Sequence, residues 1–272
     1  MEASAVARVK AVKLNLGLEV RQVVEEDVVV EAPVHIYVNA ENIVTLMATP
    51  FELRELGVGY VLDEGILRSL EEVKAVEVKG NDVRVEAKID VKRRIQAAKS
   101  LLVVTTACGS TEDFIKLLDR LEKPYVKSGY AVEAQEVLRM AWELNTRSTL
   151  FRLTGGVHSA ALFTEGKLKA FSEDVGRHNA VDKVVGKTAL VGGDFNRSVL
   201  VTSGRQPADM VLKAARMGVP IFASISAPIH SGILAAGKTG LTLVSFTRGQ
   251  RMNVYTYPER ILFQAKTQPL KG

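Results

Sequence analysis

Among 272 residues there is one cysteine, one tryptophan and four histidines, and aromatic residues make up 6% of the chain. The lone Cys108 excludes an intrachain disulfide and any zinc or iron–sulfur site built from several thiolates. No apolar run approaches the ~18 residues of a membrane-spanning helix. Arg8 and Lys10 interrupt the opening MEASAVARVKAVKL, where an export signal needs an unbroken apolar stretch. The expectation is a cytoplasmic protein that does not enter a membrane. Charge of one sign is also scarce: 36 Lys and Arg stand against 31 Asp and Glu, a net +5. That surplus suits an anionic small ligand or an acidic partner and is not a nucleic-acid signature. The densest basic cluster, Lys92 to Arg94 with Lys88 and Lys99, reads as a solvated face. No serine lies in a GxSxG elbow, which argues against a hydrolase of that type.

What is present is enough apolar sequence, 47%, for one large core or two modest ones. The stretch from Lys123 to Gly129 reads as a linker, dividing an α+β part, residues 1–128, from an α/β part, residues 129–272. Leu14 to Met47 alternates apolar and polar residues in short runs, the pattern of an antiparallel meander. Thr49, Pro50 and Glu52 form a capping box that predicts a helix running toward Gly65. Gly57 and Gly59 within that helix indicate close packing; their spacing to Gly65 is wrong for a dinucleotide loop. Val73–Lys79 and Val83–Ile89 predict a hairpin turning at Gly80-Asn81-Asp82. Ser100 to Thr106 reads as a buried strand leading to Cys108, and Thr111 to Leu121 as a helix. A thiol at such a strand-to-helix loop is shifted toward thiolate by the helix amides, while Glu112 and Asp113 act the other way. An inert buried cysteine is the structural alternative.

A helix over Glu133–Asn145 carries Trp142. Strands follow at Val157–Thr164, Lys167–Ser172, Ser198–Thr202, Ile221–Ile225 and Leu241–Phe246. Helices are predicted at Asn179–Val185, Pro207–Met217 and Ile229–Lys238. Such alternation implies a largely parallel sheet covered by helices on both faces. The densest polar cluster, Glu173, Asp174, Arg177, His178, Asp182 and Lys183, falls where a strand hands over to a helix. Helix capping and mutual pairing are its structural reading; a binding or catalytic role is its functional one.

Ligands of open α/β sheets lie beyond the carboxyl ends of the strands. Three polar turns end there: Ser203-Gly204-Arg205, Ser226-Ala227-Pro228, and Thr247-Arg248-Gly249-Gln250-Arg251. Their arginines and helix amides predict a phosphate or pyrophosphate site, with Phe246 available to stack on a heterocycle. His158 and His178 are the acid/base candidates, whereas His35 lies in the meander and His230 opens a helix. Gly232 to Thr239 matches the spacing of a phosphate-binding P-loop, but helix-forming residues fill its middle and a strand follows it rather than precedes it.

Taken together, LRELGVGYVLDEGIL, TGGVHSAALF, EDVGRHNAVDKVVG, the SGR turn with KAARMGVPI, SAP and LTLVSFTRGQRMNVYTYPERI resemble the formate dehydrogenase accessory sulfurtransferases. The resemblance spans about Phe51 to Ile261. It implies a cytidine-deaminase-like mixed sheet in the C-terminal part and a homodimer. It implies an activity too: sulfur taken from a cysteine desulfurase as a persulfide and passed to molybdenum cofactor in its bis-molybdopterin guanine dinucleotide form, for the catalytic subunit of formate dehydrogenase. Cys108 matches the persulfide-carrying cysteine, and Phe246, Thr247, Arg248, Gly249, Gln250 and Arg251 match the segment that binds the guanine dinucleotide. Thr111 stands where the family has a second cysteine, so a relay through two thiols is not available here. The deaminase zinc signature is absent, so no metal is expected. Two alternatives accompany this reading: a carrier that inserts the cofactor without moving sulfur, and a nucleotide-modifying enzyme acting through His158 and Glu173.

Overall fold

The computed structural model describes residues 5–97 and 126–264. Two hairpins open the chain. β1 (Val6–Asn15) and β2 (Val20–Val29) form a two-stranded antiparallel sheet of their own. β3 (Ala32–Val38) and β4 (Glu41–Ala48) join β5 (Val73–Lys79) and β6 (Asp82–Ala87) in a four-stranded sheet ordered β4-β3-β6-β5. The expected meander is therefore split into two antiparallel hairpins, and the four-stranded sheet that the second one enters is mixed, because β3 runs parallel to β6. Alternation dictates which face of a strand is buried, here that of Val34, Ile36 and Val38, but not which neighbour the strand takes. The hairpin at Gly80-Asn81-Asp82 is present, with Gly80 at φ 58°.

The predicted capping box does not form. Helix α1 (Leu53–Asp63) begins after Glu52, which adopts φ 55° and makes no side-chain cap. Thr49 and Glu52 are engaged elsewhere. The Thr49 hydroxyl donates to Asp174 Oδ2 at 2.7 Å, and Glu52 accepts from Lys187 and Ser172. Long-range partners with full charge outcompete a local cap.

The main sheet has six strands: β8 (His158–Thr164), β9 (Lys167–Asp174), β10 (Ser198–Thr202), β11 (Ile221–Ser224), β12 (Thr242–Arg248) and β13 (Arg251–Val254). Their order is β13-β12-β11-β10-β8-β9. Only β10, β11 and β12 run parallel, so the sheet is mixed rather than largely parallel. The cause is connection length: helical crossovers separate the three parallel strands, while short turns join β8 to β9 and β12 to β13 and force reversal. A short parallel pair, β7 (Val132–Glu133) with β14 (Ile261–Leu262), lies apart.

Helices cover both faces, as the alternation implied. Ala160, Leu162, Leu200, Phe222 and Leu243 pack with α4 (Arg177–Leu190), α5 (Ala208–Arg216) and α6 (His230–Thr239). Ala161, Phe163, Val199, Ile221 and Val244 pack with α2 (Ala134–Arg147), which is followed by the short α3 (Thr149–Thr154). The P-loop spacing falls inside α6, confirming that it is not a phosphate loop. Among the described residues, no helix is long and apolar enough to cross a membrane.

α1 crosses α4 without room for side chains. A Cβ on Gly59 would lie 1.7 Å from the Asp182 carbonyl oxygen, and one on Gly186 would lie 1.9 Å from that of Glu55. Beside this crossing Lys213 is buried, with Nζ 2.7 Å from Asp63 Oδ1, 2.7 Å from Glu64 Oε1 and 2.9 Å from Asp182 Oδ1. The last is an ion-pair contact rather than an aligned hydrogen bond. Burial and the neighbouring Asp182 hold the Asp63 carboxyl well above the usual carboxylate range. Burial raises the Asp182 carboxyl too, although Lys213 opposes it. Lys213 and Arg216 thus face three carboxyl groups, those of Asp63, Glu64 and Asp182, in one buried cluster. Two outcomes follow for urea denaturation. Gly59→Ala loses about 3 kcal/mol or more, because the clash is with backbone that cannot rotate away. Lys213→Met loses about 3–5 kcal/mol by stranding buried carboxylates.

Candidate functional site

The mixed topology brings opposite chain ends to one rim. β8 is antiparallel to β10 and β9, so His158 at its start sits beside Ser203 and opposite Asp174. The α4 amino terminus, from Arg177, reaches the same rim. Backbone and side-chain hydrogen bonds lock the predicted turns together. Gln206 N–H donates to the Ala227 carbonyl at 3.2 Å, Phe246 N–H to the Ser226 carbonyl at 2.9 Å, and the Ser224 hydroxyl to the Gly204 carbonyl at 2.7 Å. The turns after β10 and β11 and the end of β12 thus form one continuous rim, as the sequence predicted.

Two cationic groupings line it. The first is His158, Arg177, His178 and Arg205. Ser203 Oγ accepts from Ser159 N–H at 2.9 Å and lies 3.4 Å from His158 Nδ1. Partial burial depresses the His158 pKa, and the charges of Arg177, His178 and Arg205 lower it further. His178 Nε2 lies 3.0 Å from Asp209 Oδ2, and Asp209 is held below its ordinary pKa despite its burial by that contact. Arg177 lies against Gly204, where a Cβ would fall 2.8 Å from the arginine Cβ, and its Nε is buried without a hydrogen-bond partner. A cavity of about 320 Å³ adjoins this group, lined in part by Asn145, Phe151, Gly156, His158, Ser203 and Ile225.

The second grouping is the polar turn from Thr247 to Arg251, which forms the tip of the β12–β13 hairpin, with Gly249 at φ 62°. A bulge between Ser245 and Arg248 puts Phe246 at φ 54° and leaves Thr247 Oγ1 buried without a partner. Arg248 and Arg251 are exposed and directly opposite each other across the ladder. Like charges in that position repel unless an anion lies between them. Gly249 and Gln250 are exposed beside them.

Other predicted residues fall differently. Both Glu173 oxygens accept helix amides, from Leu150 at 3.0 Å and Phe151 at 2.8 Å, so this carboxylate caps α3 and is not free for proton transfer. Asp174 pairs with the buried Lys183 at 2.6 Å. The structural reading of the charged cluster therefore holds for Glu173, Asp174 and Lys183, whereas Arg177 and His178 face the rim. His35 contacts Thr45 within the N-terminal sheet. Cys108, the strand predicted before it, the helix predicted after it and Lys123 to Tyr125 lie outside the described residues. Among the described residues, no group of three His, Cys, Asp or Glu side chains is arranged to hold a metal ion. Asp209 and Asn145 were not singled out by sequence, whereas Arg177 was named within the charged cluster at the strand-to-helix junction. The available signal for Arg177 was its place two residues before the helical periodicity begins, where a cation disfavours the helix dipole.

Fold and rim define an α/β protein with a cationic edge beyond its strand ends. The model of the FdhD/NarQ family matches residues 29–262, and the chain belongs to that family. It is 37% identical over 246 residues to the sulfur carrier protein FdhD of Methanothermobacter thermautotrophicus, covering 89% of this chain and 94% of that one. The namesake from Sulfolobus acidocaldarius is 35% identical over 262 residues, 94% of this chain and 98% of the other. A crystal structure described as a candidate formate dehydrogenase accessory protein from Desulfotalea psychrophila superposes with a TM-score of 0.77 at 31% identity, covering 95% of this chain and all of that one.

The depressed His158 pKa has a measurable consequence. The folded site refuses a proton that the unfolded chain accepts near pH 6.5. Stability from neutral His158 is therefore full above that pH and is lost as pH falls through it. Histidine NMR titration of Arg177→Met should show the His158 pKa moving up toward its ordinary value.

Proposed function

We propose that this protein is a sulfur carrier serving formate dehydrogenase, with Cys108 as the carrying thiol and the cationic rim as the seat of its cofactor substrate. The observation that carries the rim's role is the concentration of Arg177, His178, Arg205, Arg248 and Arg251 beyond the strand ends, where Asp209 is engaged by His178, Asp174 by Lys183 and Glu173 by two helix amides. A bis-molybdopterin guanine dinucleotide presents two pyrophosphates to such a surface. The names of the relatives support the sulfur-carrying role, and the mixed sheet is compatible with a cytidine-deaminase-like fold. In the first step the Cys108 thiolate attacks the terminal sulfur of a cysteine desulfurase persulfide, and the desulfurase thiolate leaves. Onward delivery as sulfide consumes two electrons from a pair of external thiols, which leave joined as a disulfide, and returns Cys108 to its reduced form. The protein would act in the cytoplasm. The non-catalytic carrier reading is separated by one variant, since only sulfur transfer depends on Cys108.

Intact-mass spectrometry after incubation with a cysteine desulfurase and cysteine should show a gain of about one sulfur, ~32 Da, reversed by reductant and absent from Cys108→Ala. Guanosine diphosphate binding should survive Cys108→Ala and weaken at least tenfold in Arg248→Ala/Arg251→Ala, two lost charge-assisted contacts of ~1.5–3 kcal/mol each. Binding without any sulfur gain would leave the carrier reading in its place.

A further inference from the structure

Behind the rim lies a knot of polar side chains that touches none of the cationic groups directly. Thr49, Asp174 and Lys183 are wholly buried, and Asn179 is buried beside them. Asp174 Oδ1 accepts from Gly176 N–H and from Asn179 Nδ2, each at 2.8 Å. Its Oδ2 accepts from Thr49 N–H at 3.1 Å and from the Thr49 hydroxyl at 2.7 Å, and pairs with Lys183 Nζ at 2.6 Å. Lys183 in turn donates to Thr49 Oγ1 at 2.7 Å and to the Thr49 carbonyl at 3.2 Å, and Asn179 Nδ2 donates to the Met47 carbonyl at 2.8 Å. The Thr49 hydroxyl closes the knot: its one proton goes to Asp174 and a lone pair receives Lys183.

Stability alone does not account for such a group, because a buried ion pair is often matched by apolar residues of similar volume. Its place in the chain does. Asp174 and Gly176 stand on one side of Arg177 and His178, Asn179 and Lys183 on the other. The Asp174–Gly176 bond sets the turn from which α4 starts, and a Cβ on Gly176 would fall 2.7 Å from Asn179 Nδ2, so the turn is clamped from both sides. Two cations at a helix amino terminus oppose the helix dipole, and the first turn of α4 holds no acidic residue. The carboxylate that compensates is Asp174, supplied by β9. Arg177, His178 and Arg205 all press their charge on His158. Like charges gathered in this way stay in place only if something holds them.

We propose that Thr49, acting through Asp174 and Lys183, is a positioning residue for the rim, holding the start of α4 so that Arg177 and His178 present their charge to an anionic ligand. This role rests on the rim being the seat of the cofactor. It extends that seat to a residue of the N-terminal part, on the segment between β4 and α1.

Thr49→Val removes the hydroxyl with little change of shape and keeps the backbone N–H; Thr49→Ser keeps the hydroxyl. Histidine NMR titration and guanosine diphosphate binding are measured on the full chain, with circular dichroism as the control for folding. In Thr49→Val the His158 pKa should rise toward its ordinary value of about 6.5 as Arg177 moves off, and binding should weaken about tenfold, the loss of one charge-assisted contact. Thr49→Ser should restore both. Asn179→Ala, which cuts the link to Met47, should reproduce both changes and carries the test if Thr49→Val does not fold. A folded Thr49→Val that is less stable but keeps the wild-type His158 titration and affinity would overturn the proposal, as would changes that persist in Thr49→Ser. A wild type that does not bind guanosine diphosphate would overturn the cofactor-seat reading instead, and the His158 titration, which needs no ligand, would then decide whether Thr49 positions Arg177.

Discussion

The crossing of α1 and α4 is the constraint on which the remaining geometry depends. Two carbonyl oxygens occupy the space where Gly59 and Gly186 would carry side chains, so the helices meet backbone to backbone. That contact ties the N-terminal sheet to the main one. It also sets the position of Asp182, hence of the buried Lys213 cluster, and it fixes the orientation of α4, whose amino terminus carries Arg177 and His178 to the rim. A second link lies a few residues away, where Thr49 accepts from Lys183 at 2.7 Å and donates to Asp174, with Lys183 4.1 Å from the Phe51 ring centre. The N-terminal part is therefore more than an appendage, because its helix and its Thr49 segment brace α4, whose amino terminus carries Arg177 and His178.

Buried charge at such a junction is a costly way to gain stability and a selective way to gain uniqueness. Lys213 is 3% exposed, and every alternative packing of α1 on α5 would strand it or its carboxylates. The apolar surroundings, Val58, Val61, Val181, Val184 and Val211, would tolerate sliding; the ions would not.

Much of this was legible in the chain. The three parallel strands, the helices between them and the glycine contact in α1 announce themselves through periodicity and punctuation. The rim was legible as well, since polar turns after apolar strands have few other purposes. What escaped were features decided by partners distant in sequence. Thr49 reads as a cap because a cap is its best local option, yet Asp174, 125 residues away, offers a charged acceptor. Glu173 reads as a candidate catalyst, yet it satisfies two amides at the start of α3. The bulge at Phe246 leaves no trace in an alternating strand, and so β12 overruns its predicted end. The pairing of β3 with β6 depends on two sheets' worth of burial, which no window of residues contains.

The far rim of the main sheet is built by a different rule. There, at the strand starts and helix ends, Gly166, Gly192, Gly218 and Gly240 all adopt left-handed backbone, with φ of 78°, 68°, 77° and 78°, and close the connections by local geometry alone. The near rim instead is stitched by hydrogen bonds between separate turns. Lengthening a far-rim connection costs only loop entropy, about 0.6 kcal/mol per doubling. Lengthening a near-rim turn would unpick its neighbours. Related chains should therefore drift in length at one edge of the sheet and hold their length at the other, and a fluorescent reporter inserted after Gly192 would ride on the molecule without reaching its working edge.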